Sequence, residues 1–358
     1  MLEALVAACT LVIWEDEDGV QEGGRKPFFG APALDFRSFL PIRMTLVSIP
    51  ANPVPEDVVT GTVRTPDGAE LRFARWAPPA GRKGTVCVFP GRAEPIEKYF
   101  ETVRDLRDRG FAVAVLDWRG QGHSSRRLRD PRKGYVRDFS DYEIDVDTFV
   151  QQVMLPDCPP PFFALAHSMG GAVMLRIAHA GKRWFDRMVL SAPMIDLPGR
   201  RTSRGVRCLL KVMRWTGQGG NYVPGGSGEL TGLNSFINNP FTSDPVRYAR
   251  NGAILEEDPT LGLGSPTIAW ADTAFGAMHT FRGMYYPSQI RQPILMLAAS
   301  NDTIVSTPAI EEFAYHLRAG SHLVIAGAKH ELLQEQDRYR AQFWAAFDAF
   351  VPGTSLFR

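Results

Sequence analysis

One short stretch constrains the fold of this chain more than any other. In LAHSMGG, Leu165 to Gly171, an apolar strand-like run (Pro161 to Ala166) passes directly into a helix-like one (Met169 to Ala180). A strand that enters a helix with no intervening loop must turn sharply, and the residues two places either side of the apex must be small. Ala166 and Gly170 meet that demand and leave Ser168 at the apex. Such a turn belongs at the carboxyl edge of a mostly parallel sheet, so the remainder of the chain should alternate strands with helices.

It does. Val58 to Arg64, the turn TPDG and Ala69 to Trp76 read as a β-hairpin. Strands are then expected at Thr85 to Phe89, Phe111 to Leu116, Arg187 to Leu190, Pro293 to Ala298 and His322 to Ile325. Helices are expected at Pro95 to Arg109, Asp141 to Val153, Pro308 to Leu317 and Glu335 to Phe350. The alternation stops between about Asp196 and Tyr286, a segment rich in Gly, Pro and Asn. We read a core in two parts, 51–195 and 287–358, interrupted by a cap at 196–286 and preceded by an extension at 1–50. That extension is read as a disordered leader, or as a mis-annotated start with translation beginning at Met44. It lacks the basic n-region of a signal peptide.

Composition removes several classes of function. The 40 Lys and Arg balance 39 Asp and Glu, without the basic excess of a dedicated nucleic-acid binder. The apolar share, 44%, is enough for a core that needs neither disulfides nor metal. Cys9, Cys87, Cys158 and Cys208 lie far apart, so no zinc or redox dithiol spacing is present, and a reducing cytoplasm fits. No run reaches the roughly 18 apolar residues needed to span a bilayer. No metal-ligand spacing or dinucleotide fingerprint is present, so no cofactor is expected. The glycine-rich run Gly217 to Gly228 lacks the lysine of a phosphate loop and is read as a plain loop.

A serine hydroxyl is a weak nucleophile until a base takes its proton, and the base needs an acid to orient it. In a sheet of this kind the order along the chain is serine, acid, histidine. Asp302 follows the strand PILMLA, and His330 follows the next strand and precedes the last helix. Both therefore stand at the carboxyl edge beside Ser168, where crevices form in open α/β sheets. The Met169 amide, at the start of a helix, can stabilise an oxyanion, and a second donor should come from the loop Pro90 to Glu94, with the Arg92 amide first in line. The Arg92 side chain is expected to pair with an acid, against the alternative of attracting a substrate phosphate. His167 should point away from the pocket, and Asp117 and Arg119 should be internal braces.

Arg200, Arg204, Arg207, Lys211 and Arg214 recur at spacings of four and three, which sets five cations on one helical stripe. Two readings stay open: a solvated face of a cap helix, or a contact for substrate or an anionic membrane surface.

Taken together, these residues resemble the α/β-hydrolase superfamily, and within it the monoacylglycerol lipase and bacterial lysophospholipase branch with its serine aminopeptidase-type domain. The likeness runs from about Asn52 to Phe350 through FPGRAEPIEKY, DWRGQGHSSR, GYVRDFSDYEIDV, LAHSMGGA, LSAPM, TSDPVRYARN, DPTLGLGSPTIAW and GAKHELLQE. It implies an α/β-hydrolase fold with catalytic Ser168, Asp302 and His330 and oxyanion donors at the Arg92 and Met169 amides. It also implies a serine esterase acting on single-chain lipid esters, lysophospholipid or monoacylglycerol. A general carboxylesterase, a peptidase or a lipid transacylase could carry the same machinery. The expected location is cytoplasmic, with a peripheral contact on the inner membrane face as the further option. The oligomeric state is not legible.

Overall fold

A computed structural model describes residues 43–78, 83–199 and 203–352. Most of the N-terminal extension and Arg200 of the basic stripe lie outside the described residues.

The central sheet has eight strands in the order β1-β2-β4-β3-β5-β6-β7-β8. β1 (Val58–Arg64) and β2 (Glu70–Trp76) form the expected hairpin, and β2 continues antiparallel to β4 (Ala112–Leu116). From β4 onward every pair is parallel: β3 (Thr85–Phe89), β5 (Phe162–His167), β6 (Arg187–Ser191), β7 (Ile294–Ala299) and β8 (Gly320–Ile325). Parallel neighbours need a crossover, and helices supply it. The main helices are α1 (Phe100–Asp108), α2 (Asp141–Phe149), α3 (Met169–His179), α4 (Arg204–Met213), α5 (Pro245–Glu257), α6 (Ile268–Phe281), α7 (Tyr286–Gln289), α8 (Thr307–Tyr315) and α9 (Asp337–Phe350), the last of which follows the final strand.

Period-two alternation divides the core into two layers. Val86 and Val88 of β3, with Phe163 and Leu165 of β5, face α1 and α9. Cys87, Phe89, Ala164 and Ala166 face the other way, into the layer that holds α2, α3, α6 and α8. Small side chains on that second face let α3 come close to the sheet.

Several boundaries differ from the sequence reading by one residue or more. The first predicted helix opens as a 3₁₀ turn, Ile96–Tyr99, before α1 begins. There the Ile96 amide donates to Asp117 Oδ1 at 3.0 Å, so a neighbouring strand end dictates the entry. α2 runs on through a π-helical turn at Val150–Met154. β8 starts two residues early; it is an edge strand with its middle exposed, and so carries little apolar signal.

Asp117 and Arg119 are internal braces, as expected. Asp117 Oδ2 accepts from buried Arg72 Nε at 2.7 Å and from the His123 amide at 2.9 Å. Arg119 pairs with Asp145 at 2.7 Å and with Asp67 at 2.6 Å. Burial raises the Asp145 carboxyl to about 7 despite that arginine. Among the described residues, no helix is long and apolar enough to cross a membrane and no cluster has the makings of a metal site.

Candidate active site

Ser168 closes β5 and opens α3 with φ 48° and ψ −112°, a left-handed backbone that non-glycine residues seldom adopt. The neighbouring strand and loop hold it there. The Ser168 amide donates to the Ser191 carbonyl at 3.0 Å, and its own carbonyl accepts from Met194 at 2.9 Å and Ala172 at 3.1 Å. The need for glycine two places on is steric: a Cβ at Gly170 would collide with the Phe89 carbonyl oxygen and stand 2.7 Å from that of Pro90.

Asp302 and His330 come from the loops after β7 and β8 and meet at the same edge. His330 Nδ1 and Asp302 Oδ2 are 2.7 Å apart. The other carboxylate oxygen, Oδ1, accepts from the Ile304 amide at 2.8 Å and the Val305 amide at 2.9 Å. Burial alone would raise the Asp302 pKa, but the His330 contact and these two amides outweigh it and hold the carboxyl below its ordinary range. The acid is therefore ionised at neutral pH, as an orienting group beside an imidazole must be.

Ser168 and His330 line one cavity of about 300 Å³. Its apolar wall includes Leu197, Phe241, Trp270, Phe275, Met278 and Ile304. Five of these six belong to the segment between Asp196 and Tyr286, where neither strand nor helix periodicity could flag a site. Trp270 is fixed by an Nε1–H donated to Tyr142 Oη at 3.1 Å. A crevice at this edge with mostly apolar walls and a few polar groups is the usual form of a small-molecule site.

The loop after β3 reaches the same cavity. The Gly91 amide donates to Glu94 Oε2, and the Ala93 amide donates to Gln121 Oε1 at 2.6 Å. The Arg92 amide is thus held between two pinned neighbours. The Met169 amide lies at the first turn of α3, where the helix dipole favours negative charge. Contrary to expectation, the Arg92 side chain meets no acid among the described residues. It donates from Nη2 to the Gly264 carbonyl at 2.7 Å, and its guanidinium lies 5.2 Å from the Trp270 ring centroid. The nearby acid, Glu94, is taken instead by Lys98 and Tyr99.

His167 corrects a second expectation. It lines the cavity, with its ring centroid 4.8 Å from that of His330. The Ser191 carbonyl 3.1 Å from its Nδ1 draws the ring along the sheet edge. Burial is the main reason its pKa falls to about 4, so the ring is neutral and carries its proton on Nδ1.

One cluster left no mark in the sequence. Lys98 bridges Glu94 at 2.7 Å and Glu331 at 2.6 Å. It joins the Arg92 loop to the residue after His330. Burial opposes the charge on Glu94, but Lys98 and His167 prevail and hold it down at about 2. The Glu331 amide also donates to the Phe241 carbonyl at 2.8 Å, which ties the histidine loop to the inserted segment.

The basic stripe stands apart. Arg204, Arg207, Lys211 and Arg214 are not among the residues that line the cavity. Arg214 donates to Asp272 at 2.7 Å, Arg207 is half-buried, and Arg204 and Lys211 are exposed. Of the apolar residues on α4 only Leu210 is buried. Val206 and Leu209 are exposed, and Trp215 in the following turn is 87% exposed.

The sequence is similar to that of known proteins over most of its length. The model of the family described as serine aminopeptidase, S33, matches residues 80–337. Lysophospholipase L2 of Escherichia coli is 33% identical over 286 residues, 77% of this chain and 82% of that protein. Probable lysophospholipase L2 of Haemophilus influenzae is 27% identical over 275 residues, 76% of this chain and 85% of that protein. Among solved structures, a soluble variant of monoglyceride lipase from Saccharomyces cerevisiae aligns with a TM-score of 0.65 at 19% identity, covering 82% of this chain and 96% of that one. With well over half of the chain inside the family model, and a sheet whose carboxyl edge gathers Ser168, Asp302 and His330, the chain belongs to the serine aminopeptidase S33 family of α/β-hydrolases.

Proposed function

We propose that this protein is a serine hydrolase that cleaves the carboxylic ester of single-chain lipids, lysophospholipid or monoacylglycerol. The observation that carries this reading is the cavity: a serine and an acid-bonded histidine share it with a wall of aromatic and aliphatic side chains. The similarity to lysophospholipases along most of the chain supports the same substrate class.

In this mechanism His330 takes the proton of Ser168 as its oxygen attacks the ester carbonyl. Asp302 keeps the His330 proton on Nδ1 and stabilises the imidazolium. The Arg92 and Met169 amides receive the tetrahedral oxyanion, and protonation of the leaving alcohol by His330 yields an acyl-serine. Water, activated by the same histidine, then releases the fatty acid and restores Ser168. The chain's own side chains and amides suffice for each step. Residues 196–286 act as a cap on a core formed by 51–195 and 287–358, and they shelter the acyl chain. Parallel assays on lysophosphatidylcholine, monoacylglycerol and a short p-nitrophenyl ester should show release of fatty acid from at least one of the lipids. Turnover of the short ester alone would overturn the lipid reading. An added acceptor lipid should leave free fatty acid as the main product; acyl transfer to that lipid would make the enzyme a transacylase.

The exposed apolar residues Val206, Leu209 and Trp215, set beside exposed Arg204 and Lys211, favour a peripheral contact of α4 with an anionic membrane surface. The protein should co-sediment with vesicles that contain phosphatidylglycerol and be released as salt rises. Binding to neutral vesicles of the same size equally well would remove the electrostatic part of this contact.

A further inference from the structure

Among the described residues, the cation beside the nucleophile, Arg92, has no carboxylate partner, although Glu94 is two residues away. Lys98 and Tyr99 occupy that acid, and Lys98 also spans to Glu331, so both nearby carboxylates are already matched. The Arg92 Nε atom is sealed from solvent and has no hydrogen-bond partner. Burial is the leading reason its pKa is lowered to about 10, which leaves the group charged at neutral pH. Partly buried charge without a counter-ion is costly, and it persists where a ligand supplies the missing partner.

Its position specifies that ligand. Arg92 lines the cavity around Ser168 and also an adjoining pocket with Lys98, Thr231, Tyr248 and Asn251. Six bonds separate an arginine amide nitrogen from its guanidinium carbon, and six separate the carbonyl carbon of a 1-acyl lysophospholipid from its phosphorus. With the backbone amide on the developing oxyanion, the side chain spans the same length as the glycerol backbone. The contacts to the Gly264 carbonyl and to the Trp270 ring are made to neutral groups, and neither supplies a counter-charge. A guanidinium presents a planar fork suited to two phosphate oxygens.

Building on the hydrolase reading above, we propose that the Arg92 guanidinium binds the phosphodiester of the substrate head group and makes lysophospholipid, rather than monoacylglycerol, the preferred substrate. Arg92 is then a specificity residue through its side chain as well as a candidate oxyanion donor through its amide.

The test compares kcat/KM for 1-acyl lysophosphatidylcholine and the 1-monoacylglycerol of the same chain length, in the unaltered protein and in Arg92→Met. The ratio of the two should fall about tenfold to hundredfold in the variant, the size expected for lost hydrogen bonds to a charged group. A parallel loss on both lipids would show Arg92 to be only a brace between its loop and Trp270, and would overturn the proposal while leaving the lipid hydrolase reading intact. If the unaltered protein cleaves p-nitrophenyl butyrate but neither lipid, both readings fall together. A second measurement needs no variant. Glycerol 3-phosphate should inhibit hydrolysis of p-nitrophenyl butyrate competitively at concentrations where glycerol does not; equal inhibition by the two would overturn the proposal.

Discussion

Ser168→Ala should abolish turnover, with kcat falling about 10⁶-fold, the scale seen when the nucleophile of a serine hydrolase is removed. Labelling by a fluorophosphonate should vanish with it, and peptide mapping of the labelled unaltered protein should identify Ser168. The fold should persist. Ser168 is 8% exposed, and its backbone is held by the Ser191, Met194 and Ala172 contacts, none of which uses the hydroxyl. The strain at φ 48° adds a second readout. A non-glycine residue in this region costs about 1–3 kcal/mol, and glycine escapes most of that cost. Ser168→Gly should therefore be as inactive as Ser168→Ala yet melt at a higher temperature. An alanine variant with more than a few per cent of normal activity would remove Ser168 as nucleophile. A glycine variant that melts lower than the alanine one would show that the turn is not strained.

The placement of these residues was legible because it follows from backbone rules. A strand that turns into a helix between two small residues has few solutions, and Gly170 shows why: its missing Cβ is the space taken by the Phe89 and Pro90 carbonyl oxygens. Asp302 and His330 could be located because each follows an apolar strand, and parallel strands deliver their carboxyl ends to one edge. Side-chain pairing was another matter. Lys98 and Glu331 are 233 residues apart, and nothing in EKY or KHE says that they touch. Spacing alone pairs the Arg92 side chain with an acid, but Glu94 is held by Lys98 and Tyr99, and a competition between two cations for one carboxylate leaves no trace in spacing. His167 lines the cavity against the expectation from its place in the strand, since it is the last residue before the left-handed turn at Ser168. The cavity wall was hidden for a related reason: Phe241 sits in an irregular loop, and Trp270, Phe275 and Met278 lie on α6, which the glycine- and proline-rich segment did not announce.

Asp302→Asn should be nearly as damaging as loss of the serine, and the geometry around Asp302 explains why an isosteric change would be so costly. In the unaltered protein one carboxylate oxygen accepts from the amides of Ile304 and Val305, and the other faces His330 Nδ1. An asparagine has only one oxygen. If its NH₂ faced the two backbone amides, three donors would meet with no acceptor, so the oxygen must stay there. The NH₂ is then turned toward His330, whose Nδ1 must accept rather than donate. The imidazole proton moves to Nε2, which can no longer take the proton of Ser168. A wrong tautomer of this kind lowers kcat about 10⁴-fold in serine hydrolases. Both backbone hydrogen bonds survive, so the melting temperature should change little. Fluorophosphonate labelling of Ser168 should slow in proportion to turnover without disappearing, because the nucleophile is present but unactivated. An Asp302→Asn protein within about tenfold of normal kcat would mean that another acid orients His330. Glu331 is the nearest alternative in sequence, but Lys98 holds its carboxylate at 2.6 Å, and among the described residues no other acid pairs with the imidazole beside the 2.7 Å contact that Asp302 makes.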